Sequence, residues 1–593
     1  MNKLITKLFF ATIAMAGFTA CSQDLTEEQK KNIKETPKHL TEFFATNSAK
    51  TRTGAKYVTI PSVLDGLLFY WNSGDQIWID KNNDGTFVKN DGSDIQSGSK
   101  LEDANFFFND QLNATSYKVR YTGNNSSAAN EVTFAETQIQ TAPNDASNIG
   151  KYGDCGVAVA TKNGQGKYQF TLQHKAAYLV LSPYSTYGFS SSVGVVAVYV
   201  TASKPISGKF AFDDNGVGEA KMGAKNTIAW FYKQELLGRE HISSSNSNFR
   251  DQQNMLPLPT AADVTQNGII ITMPAGTYED LTIEYGLIDN ATGGYGYYKQ
   301  TFKNKTLVAG ENRVLSRDIK LDTEFDPNEY YAWDAVQDAY YWKGAPNKLR
   351  VGRNMPSEST GYATSSADPR FQNETPGGST TSVADNTATR GGVSALNYNE
   401  ALWMVQKGAA KWDEWKMYVM NKHLYNGGIW IKTLQQIASE NGRTVENLKE
   451  GFLGIDFRMC GCSNNPQATR TYINLEENYG KPAKADRSKY MFIPAAGYFG
   501  RPTDPSQQNL RIMLFCGDQG FYWTSNASSI DTNGGLAFTF QRNDVSPFVD
   551  GDHSRYDADN AQPSFTVSVI NFDKYTGAPF LVDFSKTGKF RLR

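Results

Sequence analysis

The chain has 593 residues, of which 39% are hydrophobic and 13% are aromatic, and its formal net charge is −2. That length is too great for one hydrophobic core and predicts about three to five domains. The near-neutral charge offers no broad basic surface, which excludes nucleic acid as an expected partner. The 31 Tyr and 34 Phe, set among many Gly, Asn, Ser and Thr, are typical of twisted sheets joined by polar turns. We therefore expect a mainly β protein.

Residues 1–20 are predicted to be a secretory signal peptide. Two lysines precede an apolar run over 8–18, which is far shorter than the roughly 20 apolar residues that a membrane-spanning helix needs. The run ends in Thr19-Ala20-Cys21, a pattern that favours lipoprotein processing over an ordinary A-x-A type cleavage. Acyl chains on Cys21 would anchor the protein to a membrane. We expect a lipoprotein precursor that is exported to the outer membrane and cell surface, with residues 21–52 as a solvated leader or short helix.

Two β-sandwiches are predicted after the leader, over residues 53–204 and 205–325. Both stretches contain short apolar or aromatic runs, such as 67–71 and 268–272, separated by Gly-, Asn-, Asp- and Pro-rich turns. Short strands of this kind with frequent turns are typical of sandwich domains. The sequence Phe325-Asp326-Pro327 is the expected end of the second one.

Residues 326–593 are predicted to form a mixed α+β domain. The segment 353–392 is rich in Ser, Thr, Asn, Pro and Gly, and we expect it to be a flexible insert. Apolar residues at helical spacing predict helices over 396–408, 412–424 and 433–450, the last of them broken at Asn441-Gly442. Strands are expected at 490–494, 510–516, 535–540 and 564–571.

The first half of the chain resembles the fimbrillin family of Bacteroidetes. The resemblance rests on the order of four motifs up to Leu321: Thr51-Arg52-Thr53, Trp71-x-x-Gly74-Asp75-x-Ile77, Phe170-x-Leu172-x-His174-Lys175-x-Ala177-Tyr178-Leu179 and Pro274-Ala275-Gly276-Thr277-Tyr278. It implies two tandem transthyretin-like β-sandwiches and a trypsin-like protease that cuts after an arginine. Such a cut would remove an N-terminal strand and open a hydrophobic groove. A strand from another pilin subunit would then fill the groove, which is β-strand addition.

Arg52 is the candidate scissile residue, and cleavage there would make Thr53 the new N-terminus. The alternative is that Arg52 merely flanks a flexible linker and is not cut. The subunit would then stay attached to the membrane through lipid on Cys21.

The C-terminal region resembles the C-type-lectin-like module called FISUMP. The matching residues are Phe492-Ile493-Pro494-Ala495-Ala496-Gly497-Tyr498, Gly520-Phe521-Tyr522-Trp523-Thr524-Ser525 and Ala537-Phe538-Thr539-Phe540. The arginine-bearing ending of that module is replaced here by Phe565-Thr566-Val567-Ser568-Val569, and a further extension runs to Arg593. Neither Glu-Pro-Asn nor Trp-Asn-Asp occurs, so the resemblance implies a lectin-like fold without calcium-dependent sugar binding.

Four aromatic residues are candidate ligand-binding residues: Trp412, Trp415, Tyr522 and Trp523. Aromatic side chains beside acids, as at Asp413 and Glu414 and at Trp333-Asp334, are an ordinary lining of a carbohydrate site. Packing in the core is the favoured explanation for the tryptophans, because large aromatic side chains dominate protein cores.

Calcium is the one cofactor that the sequence raises, at Asp80, Asn82, Asp84 and Asp91. These oxygen-bearing residues and Gly85 have the spacing of an EF-hand loop. Both flanks are predicted strands, however, and Asn-Asp-Gly is a hairpin turn signal, so we favour a turn.

The cysteines allow more than one arrangement. Cys462 or Cys460 could form a disulfide with Cys516 in an oxidising compartment, or these residues and Cys155 could be free or singly bridged structural cysteines.

No enzyme motif was found. The five histidines are isolated, and His174 lies on an apolar strand, where we expect a core role. The chain contains no metalloprotease, hydrolase-elbow or phosphate-loop pattern, although a pair of carboxylates that meet only in space stays open.

Two functions therefore remain. The first is a fimbrial (pilus) subunit, as a tip or accessory adhesin that binds other pilin subunits by strand addition and a host or bacterial surface ligand, such as a glycan. The alternative is a surface lipoprotein that binds or processes carbohydrate and is not part of a pilus.

Overall fold

The structure is a computed structural model, and it describes residues 40–45, 54–60, 63–233, 236, 255–343, 363–460, 469–475, 477–500, 512–542 and 564–583. Strands dominate and the helices are few and short, which confirms a mainly β protein with a mixed α+β C-terminal part. None of the helices in this described part of the chain is both long and apolar enough to cross a bilayer.

Fifteen strands are described before residue 175. They are β1 (Thr41–Ala45), β2 (Gly54–Ile60), β3 (Val63–Asn72), β4 (Trp78–Asp80), β5 (Phe87–Lys89), β6 (Gly92–Ser93), β7 (Lys100–Leu101), β8 (Ala104–Phe108), β9 (Ser116–Tyr121), β10 (Glu131–Phe134), β11 (Thr137–Gln140), β12 (Asp145–Ala146), β13 (Gly156–Lys162), β14 (Tyr168–Phe170) and β15 (Gln173–His174), with helix α1 (Ile149–Tyr152) before β13.

The N-terminal sheet has the order β5-β4-β9-β13-β14-β1-β8-β6, with β15 paired to β13. Its core is rich in aromatic side chains, which include the fully buried Phe43, Trp71, Phe106 and Tyr168. A smaller sheet, β12-β2-β3-β7, contributes Trp71 to this core from the end of β3. The first unit is therefore closed by aromatic packing between sheets.

The second unit has ten further strands among the described residues. They are β16 (Ala176–Tyr184), β17 (Val193–Ala202), β18 (Gly208–Asp213), β19 (Gly216–Ala220), β20 (Thr227–Tyr232), β21 (Leu256–Pro257), β22 (Ile269–Pro274), β23 (Gly276–Asp289), β24 (Tyr295–Leu307) and β25 (Asn312–Asp318), with helix α2 (Val264–Asn267) before β22. One sheet has the order β11-β20-β17-β23-β24 and another the order β22-β16-β25.

Strand β16 lies between two hydrophobic layers. Leu179 and Leu181 belong to the core shared with the sheet of β17 and β23, whereas Tyr178 and Val180 belong to a second core on the other face. Successive side chains of a strand point to opposite faces, so a strand buried on both faces needs an unbroken apolar run. That requirement explains the continuous apolar sequence of β16.

The strand pairing differs from the predicted division at residues 204 and 205. Strand β16 pairs with β22 and β25, and β17 pairs with β20 and β23, so both belong to the second unit. The change of sheet therefore falls between β15 and β16, about 30 residues earlier than expected. Strands β10 and β11 also pair forward with β18 and β20, because neighbours in a sheet need not be neighbours in sequence.

The C-terminal unit contains the remaining elements. They are β26 (Glu324–Phe325), α3 (Tyr398–Lys407), β27 (Lys411–Trp412), β28 (Met417–Met420), β29 (His423–Asn426), β30 (Gly428–Lys432), α4 (Leu434–Glu440), α5 (Val445–Glu450), β31 (Arg470–Asn474), β32 (Tyr490–Pro494), β33 (Tyr498–Gly500), β34 (Ile512–Leu514), β35 (Gln519–Ala527), β36 (Gly534–Arg542) and β37 (Ser564–Asp573).

In the described part of this unit four sheets surround one large core, and the largest of them has the order β31-β37-β36-β35. The four predicted C-terminal strands are present as β32, β34, β36 and β37, and helices α3, α4 and α5 match the predictions over 396–408 and 433–450. Phe325 is the first residue of this core in chain order, and a domain boundary near residue 325 stays a prediction.

The helix predicted over 412–424 is wrong, because this segment forms β27 and the hairpin of β28 and β29. Asn421 and Lys422 connect the hairpin with φ of 49° and 67°, which a helix interior does not allow. Met417 and Val419 face the core of the second unit, while Tyr418 and Met420 face the C-terminal core. A short strand buried on both faces cannot be told from a helix by its apolar spacing.

The described part of the predicted flexible insert, residues 363–392, is docked on the C-terminal core. The carboxylate of Asp334 is fully buried and accepts hydrogen bonds from the backbone N–H groups of Thr389, Arg390 and Gly392 at 2.8–3.0 Å and from Asn373 Nδ2 at 2.8 Å. Ala388 N also donates to the carbonyl of Ser525 in β35. Polar side chains thus order a segment whose composition suggested a linker.

Candidate functional site

The first described strand, β1, lies inside the N-terminal sheet and not at its edge. It runs antiparallel to β8, with Thr41 opposite Phe108 and Ala45 opposite Ala104. On its other side it runs parallel to β14, with Phe43 opposite Tyr168. Both backbone edges of β1 are therefore paired, and its removal would leave β8 and β14 each with an unpaired edge.

Phe43 is the apolar anchor of β1 and is fully buried. Its ring stacks on Tyr168 with centroids 4.8 Å apart and an interplanar angle of 16°, and it meets Phe108 edge-on at 5.0 Å. Tyr117 completes the surroundings at 6.0 Å. Ala45 is the second buried side chain and faces Ala104, which leaves little room for a larger residue.

Polar contacts fix the position of β1 along the groove. Thr41 Oγ1 donates to the carbonyl of Asp110 at 2.5 Å and accepts from Leu112 N at 3.3 Å. Glu42 points to the opposite face from Phe43 and forms an ion pair with Lys167 at 2.8 Å. A shift of one residue would place Glu42 in the aromatic core, so these contacts specify one register.

The sequence alone did not predict β1, which falls inside the expected leader over 21–52. The available signal was the apolar pair Phe43-Phe44 between two threonines in an otherwise polar stretch. Strand β1 ends seven positions before Arg52. Cys21, Arg52 and Thr53 lie outside the described residues, so lipidation and cleavage remain predictions.

Three of the four candidate ligand-binding residues are interior. Trp412, Tyr522 and Trp523 are at most 1% exposed and belong to the C-terminal core. Tyr522 Oη donates to the carbonyl of Pro494 at 2.6 Å, and Trp523 Nε1 donates to the carbonyl of Tyr331 at 3.1 Å. Only Trp415 is half-buried, where it packs edge-on against Tyr295. The packing explanation therefore fits these rings better than direct contact with a surface ligand.

A shallow pocket lies where the turn between β23 and β24 meets the C-terminal unit. Thr292 to Tyr295, Trp412, Glu414 and Arg542 are among the residues that line it. Glu414 forms an ion pair with Arg542 at 2.8 Å. Asp413, by contrast, is buried and accepts from Trp430 Nε1 at 2.9 Å and from two backbone N–H groups. Asp413 and Glu414 thus each accept contacts from other residues of the chain and stabilise the fold.

Residues 80–91, the predicted alternative site for calcium, contain a local turn. Asp80 carboxylate oxygens accept from the backbone N–H groups of Asp84 and Gly85, and the turn joins the paired strands β4 and β5. Asp91 accepts from Asn109 N at 2.8 Å. Within the described ranges no three His, Cys, Asp or Glu residues are grouped so that they could hold a metal ion. Calcium at Asp80, Asn82, Asp84 and Asp91 stays a prediction.

The described cysteines do not show the Cys460–Cys516 bridge, because Cys460 is a free thiol. Cys155 is a free and fully buried thiol, and burial raises its pKa well above the usual value. Cys462 lies outside the described residues.

His174 has the predicted core position. Its Nδ1 is 2.8 Å from a carboxylate oxygen of Asp154, which also accepts from Tyr178 Oη at 2.6 Å, and its ring stacks on Phe69 at 4.2 Å. Burial raises the pKa of Tyr178 well above its usual value.

A second buried carboxylate joins the second unit to the C-terminal unit. Asp289 accepts from Ser192 Oγ at 2.7 Å and from Leu424 N at 3.0 Å, and it is 2.8 Å from His423 Nδ1. Burial alone would raise the pKa of Asp289, but these hydrogen bonds together lower it. Next to it, Thr292 Oγ1 donates to the carbonyl of Leu424 at 2.5 Å. Sequence reasoning missed this junction, since its members come from distant segments.

Comparisons with known proteins give only distant similarities. No protein-family model matches the chain, and neither does any curated protein. Among solved structures, a "putative cell adhesion protein" from Bacteroides ovatus shares 13% identity over 46% of this chain and 90% of its own, with a TM-score of 0.26. A protein of the same description from Bacteroides uniformis shares 12% identity over 47% and 93%, with a TM-score of 0.26. A "fimbrial assembly protein" from Parabacteroides distasonis shares 8% identity over 47% and 89%, with a TM-score of 0.21. With TM-scores below 0.5, these similarities carry no argument about what this chain does.

Proposed function

We propose that this protein is a fimbrial subunit that is assembled by β-strand addition into the groove now filled by β1. The observation that carries the proposal is that an interior strand of the N-terminal sheet comes from the segment before Arg52. A cut after Arg52 would separate β1 from the rest of the chain without breaking any other described strand.

The contacts of β1 explain why an empty groove would not persist. Loss of β1 would expose the Phe43-binding surface formed by Tyr168, Phe108 and Tyr117, together with two unpaired strand edges. Such edges pair readily with extended segments of other chains, since main-chain hydrogen bonds supply affinity and side-chain pockets supply specificity. Strand β1 therefore acts as a cover until a strand from another subunit replaces it.

The C-terminal unit supports a role as a tip or accessory adhesin. Its β28–β29 hairpin inserts Met417, Val419 and Leu424 into the core of the second unit, and Asp289 bonds across the same junction. A bulky unit fixed at the end of the second unit favours a terminal position in a filament over a repeated stalk position. This unit, lectin-like by its sequence resemblance, would contact a host or bacterial ligand such as a glycan.

The proposed route to the cell surface begins with lipidation of Cys21. The protein would be exported as a lipoprotein, reach the outer membrane and cell surface through lipid on Cys21, and leave that anchor behind when Arg52 is cut. The alternative of a carbohydrate-processing lipoprotein outside a pilus has less support, because Asp334 and Asp413 are each bound by donors of their own chain.

Substitution of the scissile residue tests this proposal. In the native bacterium we expect Arg52→Gln to abolish incorporation into filaments and to leave the protein attached through Cys21. Lys50→Gln, which removes the neighbouring positive charge, is the matched control and should leave assembly unchanged. Immunogold labelling that shows the unaltered protein spread over the cell with no filament would overturn the fimbrial proposal.

A further inference from the structure

We infer that the groove is selective, and that its partner is a strand of another polypeptide that carries an acidic residue followed by an aromatic residue and, two positions later, a small one. This inference rests on the proposed function and takes β1 as the template of the strand that replaces it. Each of the three positions corresponds to a different contact of β1.

The aromatic position follows from the surroundings of Phe43. Tyr168 stacks on the ring while Phe108 approaches edge-on, an arrangement that an aliphatic side chain cannot reproduce. Tyr168 is itself held in place, because its Oη donates to the carbonyls of Leu112 at 3.0 Å and Ala114 at 2.7 Å. The pocket thus has fixed walls and selects a planar ring.

The small position follows from the burial of Ala45 and of the residues paired with it. Ala45 is 2% exposed, lies opposite Ala104 in β8 and is level with Phe170 in β14. Both Ala104 and Phe170 are buried, so a larger side chain here would overpack the core.

The acidic position follows from Lys167, which lies just before β14 and forms the ion pair with Glu42. This pair is on the outer face and partly exposed, so it contributes little affinity, but a basic residue in place of Glu42 would face a like charge. The charge at the position of Glu42 therefore distinguishes among strands that all place an aromatic ring in the Phe43 pocket.

The donor must come from another molecule, as far as the described residues show. The full pattern recurs at Glu329-Tyr330-Tyr331-Ala332, but there Tyr330 and Ala332 are 0% and 3% exposed within the C-terminal core, and Tyr330 Oη donates to the carbonyl of Ala496. The chain also repeats the triplet Thr323-Glu324-Phe325, with Pro327 in place of the small residue, but there Glu324 and Phe325 form β26, which pairs with β28. Phe325 is 2% exposed within the C-terminal core. This second copy of the triplet is consequently occupied within its own chain.

Peptide exchange on the full chain cut after Arg52 tests the inference. A fluorescent peptide of residues 40–47 should enter the groove, and Phe43→Ala in the peptide should weaken binding on the order of 100-fold. Ala45→Leu should weaken it about 10-fold or more, whereas Phe44→Ala, on the half-buried outer face, should change it only a few-fold.

The charge position is tested by a swap. Glu42→Lys in the peptide should weaken binding about 3- to 10-fold, and Lys167→Glu in the protein should restore it. Lys162→Glu on β13, which removes a lysine that lies over the Tyr168 ring and is not paired with Glu42, is the matched control and should not restore it.

The outcomes separate the inference from the proposed function. If no peptide enters, including the unaltered one, strand exchange itself fails and the inference falls with it. If the unaltered peptide binds but the Phe43→Ala, Ala45→Leu and Glu42→Lys peptides bind equally well, the groove accepts strands by main-chain pairing alone, and the inference is overturned while the proposed function stands.

Discussion

Phe43→Ala in the uncut chain should strongly destabilise the N-terminal unit. Phe43 is fully buried and contacts three aromatic rings at 4.8, 5.0 and 6.0 Å. Truncation of such a side chain removes its transfer free energy and leaves a cavity, which together cost about 3–5 kcal/mol of unfolding free energy. The aromatic walls are hydrogen-bonded through Tyr168, so we expect little collapse of the cavity and a cost near the upper end.

Hydrogen exchange of the β8 and β14 amides is the appropriate assay, because a multidomain chain has no single unfolding free energy. Those amides should lose protection equivalent to about 3–5 kcal/mol in Phe43→Ala, while amides of β35 and β36 in the C-terminal unit stay unchanged. Phe44→Ala is the control, since Phe44 is half-buried on the other face of the same strand. Equal protection in the two variants would show that β1 is not seated in the core, and the groove would lose its basis.

The other predictions concern the remaining units. Asp334→Ala should lower the unfolding free energy of the C-terminal unit by about 3–5 kcal/mol, because the buried N–H donors lose their acceptor. The amides of residues 387–392 should then exchange faster. Asp334→Asn should lower the unfolding free energy less, since Asn tolerates the φ of 51° at this position. The folded-state pKa of Asp289 is lowered, so its contribution is complete above about pH 4 and is lost as the pH falls through that pKa. In acid titrations followed by exchange at β28 and β29, Asp289→Asn should therefore show a weaker pH dependence below pH 4; an unchanged profile would exclude Asp289 as the cause. Burial lowers the pKa of Lys574 to about 8 in the folded protein, whereas the pKa of a lysine in an unfolded chain is about 10.4. Between these two pH values the unfolded state binds more protons than the folded state. The unfolding free energy of the C-terminal unit should therefore rise by on the order of 1–3 kcal/mol as the pH increases from about 8 to about 10.4. Urea unfolding followed by Trp fluorescence should show this rise in the unaltered chain and not in Lys574→Met.

Local sequence signals predicted several elements correctly. Apolar residues at helical spacing over 396–408 predict helix α3, which in the structure begins after Asn397, whose side chain accepts from Glu400 N while the Glu400 carboxylate accepts from Asn397 N. The break between α4 and α5 falls at Gly442, which has φ of 63°. The strands expected at 535–540 and 564–571 are likewise present as β36 and β37.

Features that depend on distant partners were not predictable. Strand β1 has only five residues, and its place between β8 and β14 follows from pairings across 59–67 positions to β8 and 125 positions to β14. The conformation of residues 371–392 depends on hydrogen bonds to Asp334. The strand at 417–420 depends on the hydrophobic cores on both of its faces. Single-sequence patterns report local periodicity and cannot report which side chain a buried carboxylate will bind.

Zero-length carboxyl–amine cross-linking of purified filaments, read by mass spectrometry, tests whether a strand of another polypeptide replaces β1. We expect this chain to begin at Thr53 in filaments and Lys167 to be cross-linked to an acidic residue of a different polypeptide. A chain in which Lys167 is joined to its own Glu42, with residues 41–52 still attached, would contradict this expectation.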